Sequence, residues 1–225
     1  MGLLQRRIMR DGVHEMMILC GQSNPIWHYF AGAYPGSVGT LMGPSYLSKV
    51  PIRWWMPYAL DNDAFMAWSA GREWDEAAWF EMLGLVSQKP QKPLWVLVPD
   101  KVGDRQSTLD MWDKYSPHVI KRGFNAAFAC QDGMTLADMP DNASILFIGG
   151  TTDWKWETLP MWCESGRRIH VGRVNTMRQL LQCDRLGVES VDGSGWFRDT
   201  SDGIRINQLT DYIQNGVRQV ELLLK

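Results

Sequence analysis

Seven polar side chains stand where short apolar runs of this 225-residue chain end: Asp61, Asp100, Gln131, Asp132, Arg173, Asn175 and Asp192. In parallel α/β folds chemistry collects at such positions, because a rigid sheet fixes side chains whose tips face a common crevice. Two carboxylates in one crevice can divide the labour of glycosyl transfer with retention. One stays ionised and attacks an anomeric carbon, and the other stands beside the proton in transit. Asp192 follows the run 188–191 and precedes Gly193, which lets a reacting group approach closely, so it suits the attacking role. Asp61 opens Asp61-Asn62-Asp63-Ala64-Phe65, where a turn leads into a helix. It suits the proton-handling role, with a plain helix cap at Asp61 or Asp63 as the competing reading. Gly149-Gly150 brings backbone N–H groups near whatever fills the crevice.

The elements that must position these groups repeat. Apolar runs at 16–20, 94–98, 125–130, 145–148, 169–171 and 188–191 read as buried parallel strands, each ending in a polar or glycine-bearing cluster. Segments 108–121, 154–164 and 176–186 have helical spacing, and Gly123, Gly166 and Gly187 stand where helix C-terminal glycines belong. Before residue 90, 37–42 and 53–60 supply two further strands and 72–86 an amphipathic helix, while 207–224 supplies the final helix. Eight strands in β-α repetition predict an α/β fold, a (β/α)8 TIM-type barrel in a single domain over residues 1–225, with a doubly wound open sheet as the alternative.

Several function classes fall away. Neither G-x-G-x-x-G nor G-x-x-x-x-G-K-[ST] occurs, which argues against a dinucleotide or nucleoside triphosphate. His14, His28, His118 and His170 form no H-x-H or H-E-x-x-H, and Cys20, Cys130, Cys163 and Cys183 form no C-x-x-C, so no metal and no zinc subdomain is expected. His170, inside a strand, reads as a hydrogen-bonded core histidine. The cysteines read as free thiols in a reducing compartment, hence a cytoplasmic protein. Residues 1–12 lack a signal-peptide core, and no stretch stays apolar for 18 residues, so no membrane is expected. With a net charge of −2, any polyanion site must be local. Twelve tryptophans are mostly core, but those near Lys155, Arg198, Arg53 and Lys49 could stack bases or pack on a sugar-phosphate backbone.

In order, Asp61-Asn62-Asp63-Ala64-Phe65, Val98-Pro99-Asp100-Lys101-Val102-Gly103-Asp104, Gln131-Asp132-Gly133, Phe147-Ile148-Gly149-Gly150, His170-Val171-Gly172-Arg173-Val174-Asn175 and Ser190-Val191-Asp192-Gly193 resemble the phage DpdA-type DNA guanine transglycosylases, relatives of the tRNA-guanine (queuine) transglycosylases. The resemblance spans roughly residues 21–194. It implies a (β/α)8 barrel that exchanges guanine in DNA for a 7-deazaguanine such as 7-cyano-7-deazaguanine, with no cofactor, in the host cytoplasm if a phage encodes it. By motif it implies Asp192 as nucleophile and Asp61 as general acid/base. It also implies that Asp100, Gln131, Gly149, Gly150 and Asp132 recognise the base, and that Arg173, Asn175 and Lys155 lie in the surrounding nucleic-acid site. The C-x-C-x-x-C…H zinc set and the long extension of tRNA-acting members are not found here, which turns the implied polynucleotide from tRNA to DNA. An N-glycosidase, a nucleoside deoxyribosyltransferase, a tRNA-guanine transglycosylase-like activity and a non-catalytic nucleic-acid-binding barrel are the alternatives.

Overall fold

A computed structural model describes residues 16–21, 25–47, 51–53, 55–197 and 203–223. Among them eight parallel strands, β1 (Met17–Cys20), β2 (Val38–Met42), β3 (Tyr58–Leu60), β4 (Val96–Leu97), β5 (Ala126–Cys130), β6 (Ile145–Ile148), β7 (Arg168–Val171) and β8 (Ser190–Asp192), close into a barrel in sequence order. Closure is made by β1 against β8, with Leu19 opposite Asp192. The barrel expected from the β-α repetition is therefore present, and the open sheet is not. The helices are α1 (Pro25–Ala33), α2 (Pro44–Leu47), α3 (Ala64–Ser69), α4 (Glu76–Ser87), α5 (Arg105–Ile120), α6 (Thr152–Cys163), α7 (Met177–Arg185) and α8 (Ile204–Leu223).

Differences from the expected boundaries have local causes. The strand expected over 53–60 begins only at Tyr58, because Pro57 has no N–H for the ladder and contributes its carbonyl to Thr40 N instead, at 2.9 Å. α4 and α5 start at their aspartate caps: Asp75 accepts from Ala78 N and Asp104 from Ser107 N. Between β5 and β6 the β-α repeat gives way to a 3₁₀ turn, Leu136–Asp138, closed by a Thr135/Asp138 capping box, with Pro140 following. Trp54, Lys49, Arg198 and residues 1–12 lie outside the described residues. Cys20, Cys130 and Cys183 are buried, and all four cysteines are free thiols. No helix among the described residues is long and apolar enough to cross a membrane.

Strand pleat divides the side chains between two packed layers. Ile18, Leu60, Val96, Phe128, Cys130, Leu146, Ile148 and Val191 face the helices. Leu19, Leu41, Ala59, Trp95, Leu97, Ala127, Ala129 and Ile145 fill the barrel, with Phe147 against them. The alanines at 59, 127 and 129 leave the volume that the Trp95 indole takes. Continuing the two-residue period one step past each strand end turns Asp61, Gln131 and Gly149 to the barrel side, in phase with Ala59, Ala129 and Phe147.

Candidate active site

Asp192 ends β8 with one carboxylate oxygen 3.1 Å from His170 Nε2 and the other accepting from Arg173 N at 3.1 Å. His170 is fully buried, its ring 4.7 Å from both Trp95 and Phe147, and its Nδ1 lies 2.8 Å from Ser190 Oγ. A carboxylate oxygen can only accept, so the tautomer that pairs with it carries its proton on Nε2 and accepts the Ser190 hydroxyl at Nδ1. In that tautomer an N–H faces Asp192. With two donors supplied and the side chain 17% exposed, the carboxylate is oriented yet reachable. The β8 tip packs tightly. A Cβ on Gly193 would sit 2.0 Å from the Val174 carbonyl oxygen. Gly193→Ala is expected to cost about 3 kcal/mol of stability, measured by urea unfolding, because backbone must move to admit the methyl.

Asp61 stands just past β3. Burial pushes its carboxyl up to about 7, and the negative charges of Asp63, Asp192 and Asp100 add to this against one backbone hydrogen bond from Asn62 N. The carboxyl is not a helix cap. Asp63 occupies the cap position of α3 in the left-handed region, φ 60°, but its carboxylate accepts from Ser45 N at 2.8 Å, and Asn62 Oδ1 takes the Ala64 N–H. Arg173, the other non-glycine residue at positive φ among the described residues, also sits at φ 60°. That geometry, worth roughly 1–3 kcal/mol of strain, turns its N–H onto Asp192.

Asp100 is buried between two amides: Asn62 Nδ2 donates to one oxygen at 2.7 Å and Gln131 Nε2 to the other at 2.5 Å. Burial pushes its carboxyl up to about 6, and these two donors hold it down against that trend. Asn62 also donates to the Val98 carbonyl, so it locks the end of β4 to the start of α3. Gln131 Oε1 accepts from Gly103 N. The unit Asn62–Asp100–Gln131 is thus a preformed polar edge, with unused carboxylate lone pairs for N–H donors.

Other residues expected at the site do different work. Asp132 turns both oxygens to Thr151, N–H and hydroxyl, and so braces the turn after β6 rather than offering an edge to a base. That turn is tight: Gly150 has φ 62°, and a Cβ there would meet the Trp154 ring at 2.5 Å. Asn175 accepts from Gly195 N at 2.7 Å and pins the segment after β8. Lys155 is 2% exposed, with its ammonium on the Gly172 carbonyl, so it presents no charge to a polyanion. Burial and then Arg173 push its amine down to about 8. The three share one trait: the side chains turn back into the loops that shape the site. Arg173 stays at the rim, its guanidinium bonded to the Gly150 carbonyl and 4.8 Å from the Phe65 ring centre. Asn62, His170 and Ser190 join the site through their contacts with Asp100, Asp192 and His170, beyond the residues the sequence predicts for it. Each nevertheless has the same sequence cue, a place inside one of the quoted motifs: Asp61–Phe65, His170–Asn175 and Ser190–Gly193.

Neither a protein-family model nor a curated protein sequence matches the chain. The site therefore has to be read from its own chemistry. It holds one carboxylate given two hydrogen-bond donors, a second carboxyl that keeps its proton near neutrality, and an amide-clamped carboxylate beside them.

Proposed function

We propose that this protein is a DNA base transglycosylase that exchanges guanine for a 7-deazaguanine through a covalent aspartyl-deoxyribose intermediate, as its resemblance to the DpdA-type enzymes implies. The observation that carries the reading is the unequal pair at the barrel mouth. Asp192 is held by two N–H donors, while Asp61, close enough to feel its charge, keeps its proton up to about pH 7.

Asp192 attacks C1′ of a deoxyguanosine from the face opposite the base. The C1′–N9 bond breaks, its electron pair goes to N9, and Asp61 delivers the proton that makes guanine a neutral leaving group. The incoming 7-deazaguanine gives its N9 proton to the Asp61 carboxylate and attacks C1′. The ester C–O bond breaks and returns the electron pair to Asp192. Two inversions give net retention.

Guanine N1–H and N2–H₂ donate to Asp100, which the two amides hold in place. Adenine offers no N–H at position 1 and would set its N1 lone pair against the carboxylate lone pairs that the two amides leave open. Asp100→Asn is expected to lower guanine-over-adenine selectivity about 100-fold, read by competition between guanine- and adenine-containing oligonucleotides.

Nucleoside mass spectrometry of DNA from cells that express the protein and are supplied with a 7-deazaguanine tests the whole reading. A deazaguanine deoxynucleoside is expected; unmodified DNA defeats it. Abasic sites in place of the new base would point to an N-glycosidase.

A further inference from the structure

Helix α3 begins three residues after Asp61 and buries only Ala64 and Ala67; Phe65, Met66 and Trp68 face solvent, with Phe65 44% and Trp68 57% exposed. Three large apolar groups on two turns of helix exceed what a solvated surface needs. The Phe65 and Trp68 rings lie 5.7 Å apart at 38°, and the Arg173 guanidinium covers the other end of the row. The row therefore starts at the residue whose N–H holds Asp192 and runs outward to Trp68. Trp68 forms one wall of a recess of about 460 Å³, a size suited to a small organic group. Trp74 adds a second indole to its lining, and Arg72 and Lys101 line it with two carboxyl groups, Glu73 and Asp100, as the opposing charges. Among the described residues neither Arg72 nor Lys101 is in an ion pair.

We infer that α3 and the turn after it form a stacking platform for single-stranded DNA, carrying the strand away from the reacting nucleotide over Trp68 and setting its phosphates against Arg72 and Lys101. The identity of the strand rests on the guanine-exchange reading; the platform rests on the rings and cations. An exposed aromatic row with flanking cations fits unpaired bases, which offer their faces, whereas a duplex hides those faces in its stack. A single strand also delivers the reacting base without the cost of extracting it from a helix.

Fluorescence anisotropy with a labelled single-stranded deoxyoligonucleotide, its duplex and the RNA strand of the same sequence tests this on the full chain. Trp68→Ala is expected to raise the single-strand dissociation constant about tenfold or more, and Trp68→Phe to stay within about threefold of wild type. Arg72→Ala is expected to lower the salt slope by about 0.7, one phosphate contact on a single strand. Tighter binding of duplex than of single strand, wild-type affinity in Trp68→Ala, or preference for RNA would overturn the inference. The assay requires no turnover. Single-strand binding through Trp68 by a protein that exchanges no base would keep the platform and remove the transglycosylase reading. Exchange with an unchanged KM for the oligonucleotide in Trp68→Ala would do the reverse.

Discussion

Asp192→Asn is expected to lose base exchange by at least about 10⁴-fold and to form no trappable protein–DNA adduct. An amide oxygen is a poor nucleophile toward C1′, so the first bond never forms. The loss should be chemical and not structural. In Asp192→Asn the side-chain oxygen still accepts from Arg173 N. The amide nitrogen can donate to His170 Nε2 if the imidazole moves its proton to Nδ1 and donates it to Ser190 Oγ. The melting temperature should therefore stay within a few degrees of wild type, and oligonucleotide binding should persist. Denaturing gel electrophoresis of the trapped mixture, run beside a thermal melt, separates these outcomes. An Asn variant that still exchanged guanine would remove Asp192 as nucleophile.

Asp61→Asn is expected to lower base release by about 10²- to 10⁴-fold while raising thermal stability by a few degrees at pH 8. Both effects have one origin. The folded protein holds the Asp61 carboxyl at about 7, above the 3.8 of a free aspartate side chain. Between those two values the folded state binds more protons than the unfolded chain, so stability falls as pH rises, and the penalty is complete above about 7. Removing the ionisable group removes that penalty at pH 8 and changes little at pH 3, where both states are protonated. The half-reactions should have opposite pH profiles in single-turnover measurements. Guanine release needs the protonated acid, so it stays level below about pH 7 and falls above it. Capture of the incoming base needs the carboxylate, so it rises with pH and then levels. The two midpoints should also differ. Part of what raises Asp61 is the charge of Asp192, and that charge disappears when the ester forms, so the capture midpoint should lie below the release midpoint. Coincident midpoints would remove Asp192 as a neighbour that tunes Asp61.

Much of the scaffold was legible in the residues. Eight apolar runs, each closed by a polar tip, are what parallel strands covered on both faces must look like, and turn chemistry marks their ends. The carboxylates at 61, 100 and 192 could be placed at the barrel mouth on that ground. The register of the short strands could not. Pro57 delays β3, and β4 shortens to two residues, because ladder pairing depends on neighbours distant in sequence.

By itself the sequence determined the order of the eight strands, the helices from α3 onward and the polar character of each strand end, but not α1 or α2. Tertiary structure decided which alternate residues face the barrel axis, since both faces of these strands are apolar and a period of two has no preferred phase until helices cover one side. It also decided what each polar tip touches. His170 meets Asp192 only because β7 pairs with β8 in the register His170 opposite Ser190. Asp132, Asn175 and Lys155 turn into loops because nearby N–H or C=O groups in those turns needed partners. Strand position is a local property of the chain, whereas the direction of a side chain at a loop follows from hydrogen bonds that exist only once the barrel has closed.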